Sequence, residues 1–108
     1  EEEGGTFEDE GVFYDINKIF DITENFPVES YPVKKLKWIV PHKVKSYDAK
    51  RADKTDVTVP IIVTNSNGKL LVVDGYHRLL EAIKLGLTEL PGKFISKKDL
   101  LKTKLKDD

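Results

Sequence analysis

Two short apolar runs, and the motif that closes the second, constrain this chain more than any other feature of its sequence. Val59 to Thr64 and Leu70 to Val73 are rich in β-branched and aliphatic residues, and Asn65-Ser66-Asn67-Gly68 between them is a hairpin signal. Neither run alternates apolar with polar residues, so both faces of their sheet are expected to be largely covered. The second run ends in Asp74-Gly75-Tyr76-His77-Arg78, after which Leu79, Leu80, Ala82, Ile83 and Leu87 recur at helical spacing. The pattern predicts a helix from about Gly75 to Leu85, with Gly86 as a left-handed stop.

The flanking segments fit the same layout. Asp15 can cap a short helix whose Ile16, Ile19 and Phe20 share one face, and Asn25-Phe26-Pro27 ends it. Residues 28–33 read as a strand entering Lys34 to Ile39, where Leu36, Trp38 and Ile39 supply anchors. Residues 41–56 are polar and read as a loop with room for one helical turn after Asp48. Leu90-Pro91 leads into a last strand near Lys93 to Ile95, and Ser96-Lys97-Lys98-Asp99 is a capping box opening a closing helix. The expected fold class is α/β (α+β), a small mixed sheet of about four strands packed with helices. Residues 1–12 read as a flexible acidic arm and 13–108 as a single domain.

Charge is unevenly spread along the chain. Residues 1–32 hold ten acidic side chains against Lys18 alone, whereas residues 33–108 hold seventeen basic against nine acidic. The basic excess is densest from Lys34 to Lys54, a candidate surface for DNA or polyphosphate, against the plainer alternatives that the acidic arm lies over this face or that both are solvated. With no cysteine, disulfides, thiolate metal sites and thiol catalysis are excluded. No apolar run is long enough to cross a bilayer as a helix and no signal-peptide pattern opens the sequence, so a cytoplasmic location is expected and no membrane partner. The lack of methionine at position 1 points to a trimmed start.

The motif at residues 74–78 carries the chemistry. A strand that runs through a glycine turn into a helix presents unpaired backbone N–H groups at the helix start, where the dipole favours an anion. Gly75 allows close backbone approach. His77 and Arg78 add donors on the first turn, Arg78 with a planar fork that suits phosphate oxygens. Asp74 beside a phosphate is repulsive unless it caps the helix, pairs with Arg78 or holds a divalent cation; magnesium is commonly held by one or two carboxylates plus substrate phosphates. Tyr76 can stack on a base or sit against the core. The competing reading is a plain N-cap at Asp74 with Arg78 as its surface partner.

Pro60-Ile61-Ile62-Val63, the hairpin, Leu71 through Ala82 and Gly86 together resemble the ParB/sulfiredoxin superfamily. Its members share a Pro-Ile-x-Val strand and a second strand ending in a Gly-x-x-Arg motif on a helix. Tyr31 to Leu36 resembles the strand and turn that begin such domains, and the likeness spans roughly residues 30–100. Sulfiredoxins carry a catalytic cysteine just before the His-Arg pair; Tyr76 stands there, which excludes sulfinic-acid reduction. Chromosome-partitioning members bind CTP through a Gly-x-Arg-Arg motif and continue into DNA-binding regions; His77 replaces the first of those arginines. The Asp-Gly-x-His-Arg form is more similar to the branch of free-amino-acid kinases, in which the His-Arg pair contacts nucleotide phosphates. Short members of phage or plasmid origin often carry the label "ParB-like nuclease".

The resemblance therefore implies a nucleotide as partner and cofactor, a nucleoside di- or triphosphate such as ATP, ADP or CTP, with Mg2+ as companion ion. Gly75, Tyr76, His77 and Arg78 are the expected phosphate and nucleotide contacts, Asp74 the metal ligand. Asp74, His77 and Glu29 are the candidate catalytic groups, Glu29 by analogy with a catalytic glutamate near the first strand of such kinases. The chemistry would be phosphoryl transfer or NTP hydrolysis. Glu81 can instead pair with Arg78, three residues before it. His42, Lys43 and Lys45 can reach a nucleotide from the loop. Two other functions fit the residues: DNA binding or cleavage through residues 34–54, and a non-catalytic protein-interaction module. The residues point to binding and do not decide turnover.

Overall fold

The computed structural model describes residues 6–9, 11–39 and 56–105. Its elements are β1 (Thr6–Asp9), β2 (Val12–Asp15), α1 (Ile16–Thr23), β3 (Glu29–Pro32), α2 (Val33–Leu36), a 3-10 turn at Lys37–Ile39, β4 (Ile61–Ser66), β5 (Lys69–Asp74), α3 (Tyr76–Leu85), β6 (Glu89–Phe94) and α4 (Lys97–Leu101). β3, β6, β4 and β5 lie in that order in one mixed sheet, and β1 and β2 form a separate hairpin. β4 runs parallel to β6 and antiparallel to β5. The loop expected over residues 41–56 falls, but for Asp56, outside the described residues.

The central hairpin follows from its turn. Asn67 and Gly68 both take positive φ (54° and 80°), the pairing that matches the twist of a two-residue hairpin. The strands it joins are covered on both faces: Ile61, Ile62, Val63, Thr64, Leu71, Val72 and Val73 are all buried. Thr64 is tolerated there because its hydroxyl donates to the Ile95 carbonyl at 2.7 Å. β6 is longer than the sequence suggests and contains Pro91, which has no N–H to donate. Pro91 pairs only with Ser30 on β3, because β4 joins the ladder one residue later, at Gly92.

Both expected helix caps form. The Asp15 carboxylate accepts from the Asn17 N–H at 3.0 Å and opens α1, and the Ser96 hydroxyl accepts from the Asp99 N–H at 3.1 Å and opens α4. Removing the first, by Asp15→Ala, is expected to lower the unfolding free energy by about 1 kcal/mol in a urea melt. Gly86 stops α3 at φ 77°, where its own N–H and that of Leu87 return to carbonyls of the last turn.

The segment expected as a loose arm contains strand β1 at Thr6–Asp9 and the start of β2 at Val12. Thr6–Asp9 pairs with Val12–Asp15, Phe7 is buried, and its ring centroid lies 5.9 Å from that of Tyr14. The chain's C-terminal part holds this hairpin down: Asp15 N–H donates to Thr103, and Leu105 N–H to Phe13. Among the described residues no helix is long and apolar enough to cross a membrane.

Candidate functional site

Asp74 ends β5, and Gly75 turns the chain into α3 at φ 108°, ψ 23°. Only glycine fits this place for two separate reasons. The left-handed conformation disfavours a Cβ, and a Cβ there would stand 2.5 Å from Ile61 Cγ2 and 2.9 Å from Ile61 Cβ. The junction is thus pressed against β4. Leu79 N–H makes the first helical bond, to Gly75 O at 3.0 Å, and Gly75 at the N-cap has no side chain with which to cap the helix. Asp74 does not serve as the cap, since Gly75 holds the N-cap position and the carboxylate turns to Arg78 instead.

Arg78 reaches back across the junction. Its Nη1 donates to the Pro60 carbonyl at 2.6 Å, and its Nη2 to Asp74 Oδ2 at 3.4 Å, with the two side chains 21% and 30% exposed. Asp56 lies within electrostatic reach of the same guanidinium. The Thr58 hydroxyl and N–H, donated to Asp56 Oδ1 at 2.5 and 2.9 Å, hold the Asp56 carboxyl below its ordinary pKa, and the Arg78 charge adds to that effect.

Asp74 and Arg78 line a cleft of about 550 Å³ between the junction and the C-terminal end of α1. Phe20 and Val59, both part-exposed, supply apolar wall; Asp21, Glu24 and Lys93 supply charge. Lys93 Nζ donates to the Thr23 and Glu24 carbonyls at 3.1 and 3.0 Å, so it also satisfies the end of α1. Among the described residues no group of three or more His, Asp or Glu can hold a metal ion by itself. A cation here would need a ligand's oxygens to complete its shell.

The other candidates fall in different places. Tyr76 and His77 are half-buried and do not line the cleft; their rings meet edge-on with centroids 6.0 Å apart. Burial pushes the Tyr76 phenol above its ordinary pKa. Glu29 lies exposed on β3, opposite Gly92, so strand alternation turns it away from the face that carries Lys93 and Ile62. It does not join Asp74 in the cleft. Glu81 does not pair with Arg78, whose partners are Asp74 and Pro60; its Oε1 is buried with no hydrogen bond among the described residues. His42, Lys43 and Lys45 lie outside the described residues. Sequence reasoning missed Asp21, Glu24, Asp56 and Lys93. Of these only Asp56 left a local signal, the Asp-x-Thr spacing of a side-chain-capped turn.

The mixed four-stranded sheet packed with helices is a sulfiredoxin-like fold. Sulfiredoxin from Arabidopsis thaliana, a solved structure, superposes with a TM-score of 0.53 at 21% sequence identity, covering 71% of this chain and 96% of the sulfiredoxin. At that identity the likeness speaks for the fold. A scan against models of known families gives no match, and neither does a search of curated protein sequences.

Proposed function

We propose that the β5–α3 junction binds the phosphates of a nucleoside di- or triphosphate, with magnesium as companion ion. The observation that carries this reading is the start of α3: a left-handed glycine at the N-cap and, within the first turn, Arg78 held by Pro60 and Asp74 so that it lines a cleft of about 550 Å³. Two of the guanidinium's five N–H donors are engaged by Pro60 and Asp74, which fixes its plane and leaves others for phosphate oxygens. Asp21, Glu24 and Asp74 in the same cleft repel a bare polyphosphate, so affinity should depend on a divalent cation placed between Asp74 and the ligand. Phosphoryl transfer or NTP hydrolysis is the chemistry such positioning would serve.

Isothermal calorimetry with ATP, ADP, CTP and GTP, each with and without magnesium, tests the reading. Saturable binding is expected with magnesium, at least about tenfold weaker without it. Asp74→Asn should shrink that dependence by removing the carboxylate's charge. If no nucleotide gives heat or raises the melting temperature in either condition, the proposal fails.

A further inference from the structure

The α1 side of the Arg78 cleft differs in character from the junction opposite. Phe20 and Val59 line it as apolar surface, 40% and 43% exposed, and among the described residues no ring and no cation covers Phe20. Glu24, the C-cap of α1, keeps helical geometry (φ −49°, ψ −44°) and stands four residues after Phe20 and three after Asp21. Ring and carboxylates are therefore neighbours on one side of the helix, and all three line the cleft. Neither Asp21 nor Glu24 forms a side-chain ion pair among the described residues. The other polar groups nearby are engaged: the Thr23 hydroxyl donates to the Ile19 carbonyl at 2.9 Å, and Lys93 to the Thr23 and Glu24 carbonyls. What α1 offers a ligand is thus a flat apolar surface beside two groups that only accept hydrogen bonds. Phosphate is repelled there, whereas a neutral group with paired hydroxyls next to an aromatic ring matches it.

We infer that this wall holds the nucleoside half of the ligand, an inference that rests on the phosphates lying at the β5–α3 junction. The base lies against Phe20 and Val59, and the ribose 2′- and 3′-hydroxyls donate to Asp21 and Glu24. Asp74 is then left for the cation, and each carboxylate of the cleft has a use. A volume of about 550 Å³ is in the range of pockets that enclose small molecules, roughly 300–1,000 Å³. The selectivity that follows is for the sugar and not for the base. One ring face serves any base, because every base has a π-face, while a carboxylate left facing a missing hydroxyl has nothing to accept from.

Calorimetry in magnesium with tripolyphosphate, ATP, GTP, CTP and 2′,3′-dideoxy-ATP separates this inference from the phosphate site beneath it. Tripolyphosphate carries the phosphates alone, and its saturable binding tests the junction by itself. The three ribonucleotides should each bind about tenfold tighter than tripolyphosphate, and dideoxy-ATP should fall below ATP by about fivefold or more. Phe20→Ala should erase most of the advantage of ATP over tripolyphosphate, and Phe20→Trp should keep it. Phe20→Leu, which retains bulk and loses the ring, decides the matter if the alanine variant does not fold. Asp21→Ala combined with Glu24→Ala relieves repulsion of every ligand, so the readout is the ratio of ATP to dideoxy-ATP affinity, expected to fall towards one. Tripolyphosphate binding as tightly as ATP overturns the inference and leaves the phosphate site standing, whereas failure of all five ligands removes both. An ATP preference untouched by Phe20→Ala and Phe20→Leu also overturns it, and so does a sugar ratio unchanged in the double variant.

Discussion

Gly75→Ala is expected to be the most damaging single methyl in this protein, lowering the unfolding free energy by about 2–5 kcal/mol. Two effects add. A non-glycine residue at φ 108° carries backbone strain, and the new Cβ would overlap Ile61 Cγ2 at 2.5 Å. Ile61 cannot withdraw, because it is fully buried in the strand that pairs with both β5 and β6. The start of α3 must move instead, which displaces the first-turn amides and Arg78 together. Gly68→Ala and Gly86→Ala provide the comparison: both sites have positive φ, but a Cβ there meets nothing within 4 Å. Each should lose only about 1–2 kcal/mol, the conformational share alone. Urea melts of the three variants measure the difference, and a loss at Gly75 no greater than at Gly86 would refute the packing argument. Nucleotide affinity, where the wild type shows it, should fall in Gly75→Ala and stay near wild type in the other two.

The parts of this fold that were legible in the sequence are those fixed within a few residues. Asn67-Gly68 dictates its turn, Asp15 and Ser96 bond to amides two and three positions ahead, and Gly86 ends α3 where the helical spacing of Leu79, Ala82 and Ile83 stops. What was not legible depends on partners distant in the chain. Phe7 gave no strand signal among acidic neighbours; it is ordered by Tyr14 and by a hairpin that Thr103 and Leu105 hold down. Pro91 argued for a late start to β6, but the missing donor faces a place where β4 has not yet begun.

The site divides in the same way. Gly75 and Arg78 could be read from the motif, because a glycine before a helix and an arginine on its first turn are local facts. The contents of the cleft could not, since Lys93, Asp21 and Glu24 arrive from β6 and α1. Consecutive residues on a helix also diverge by about 100° around its axis. Tyr76, His77 and Arg78 therefore leave the helix in different directions, and of the three only Arg78 lines the cleft. Glu29, matched by position along the chain, lands on the opposite face of the sheet, a distinction that turns on a one-residue register.

Arg78→Ala should separate the two jobs that this side chain holds. Its stability role rests on the Pro60 carbonyl more than on Asp74: the bond to Pro60 is 2.6 Å long and the ion pair 3.4 Å, part-exposed and screened. A charged donor to a carbonyl contributes about 1.5–3 kcal/mol, so the alanine variant should lose an amount in that range. Asp74→Asn should lose well under half as much, and the loss from Arg78→Ala should persist in an Asp74→Asn background. The binding role is expected to show a larger effect. Without the guanidinium, Asp74, Asp21 and Glu24 are left facing the ligand with only Lys93 opposing them in the cleft, and Lys93 is committed to two carbonyls. Affinity for the magnesium–nucleotide should drop by about two orders of magnitude, the loss of paired charge-assisted bonds together with uncovered repulsion. Arg78→Lys discriminates between charge and shape. It restores the charge but not a planar fork able to hold Pro60, Asp74 and a phosphate at once, so it should recover part of the stability and little of the binding. Calorimetric affinities and urea midpoints for Arg78→Ala, Arg78→Lys and Asp74→Asn provide the measurement. Full recovery of binding by lysine would mean that Arg78 acts as a point charge, and wild-type binding in Arg78→Ala would move the phosphate site away from this junction.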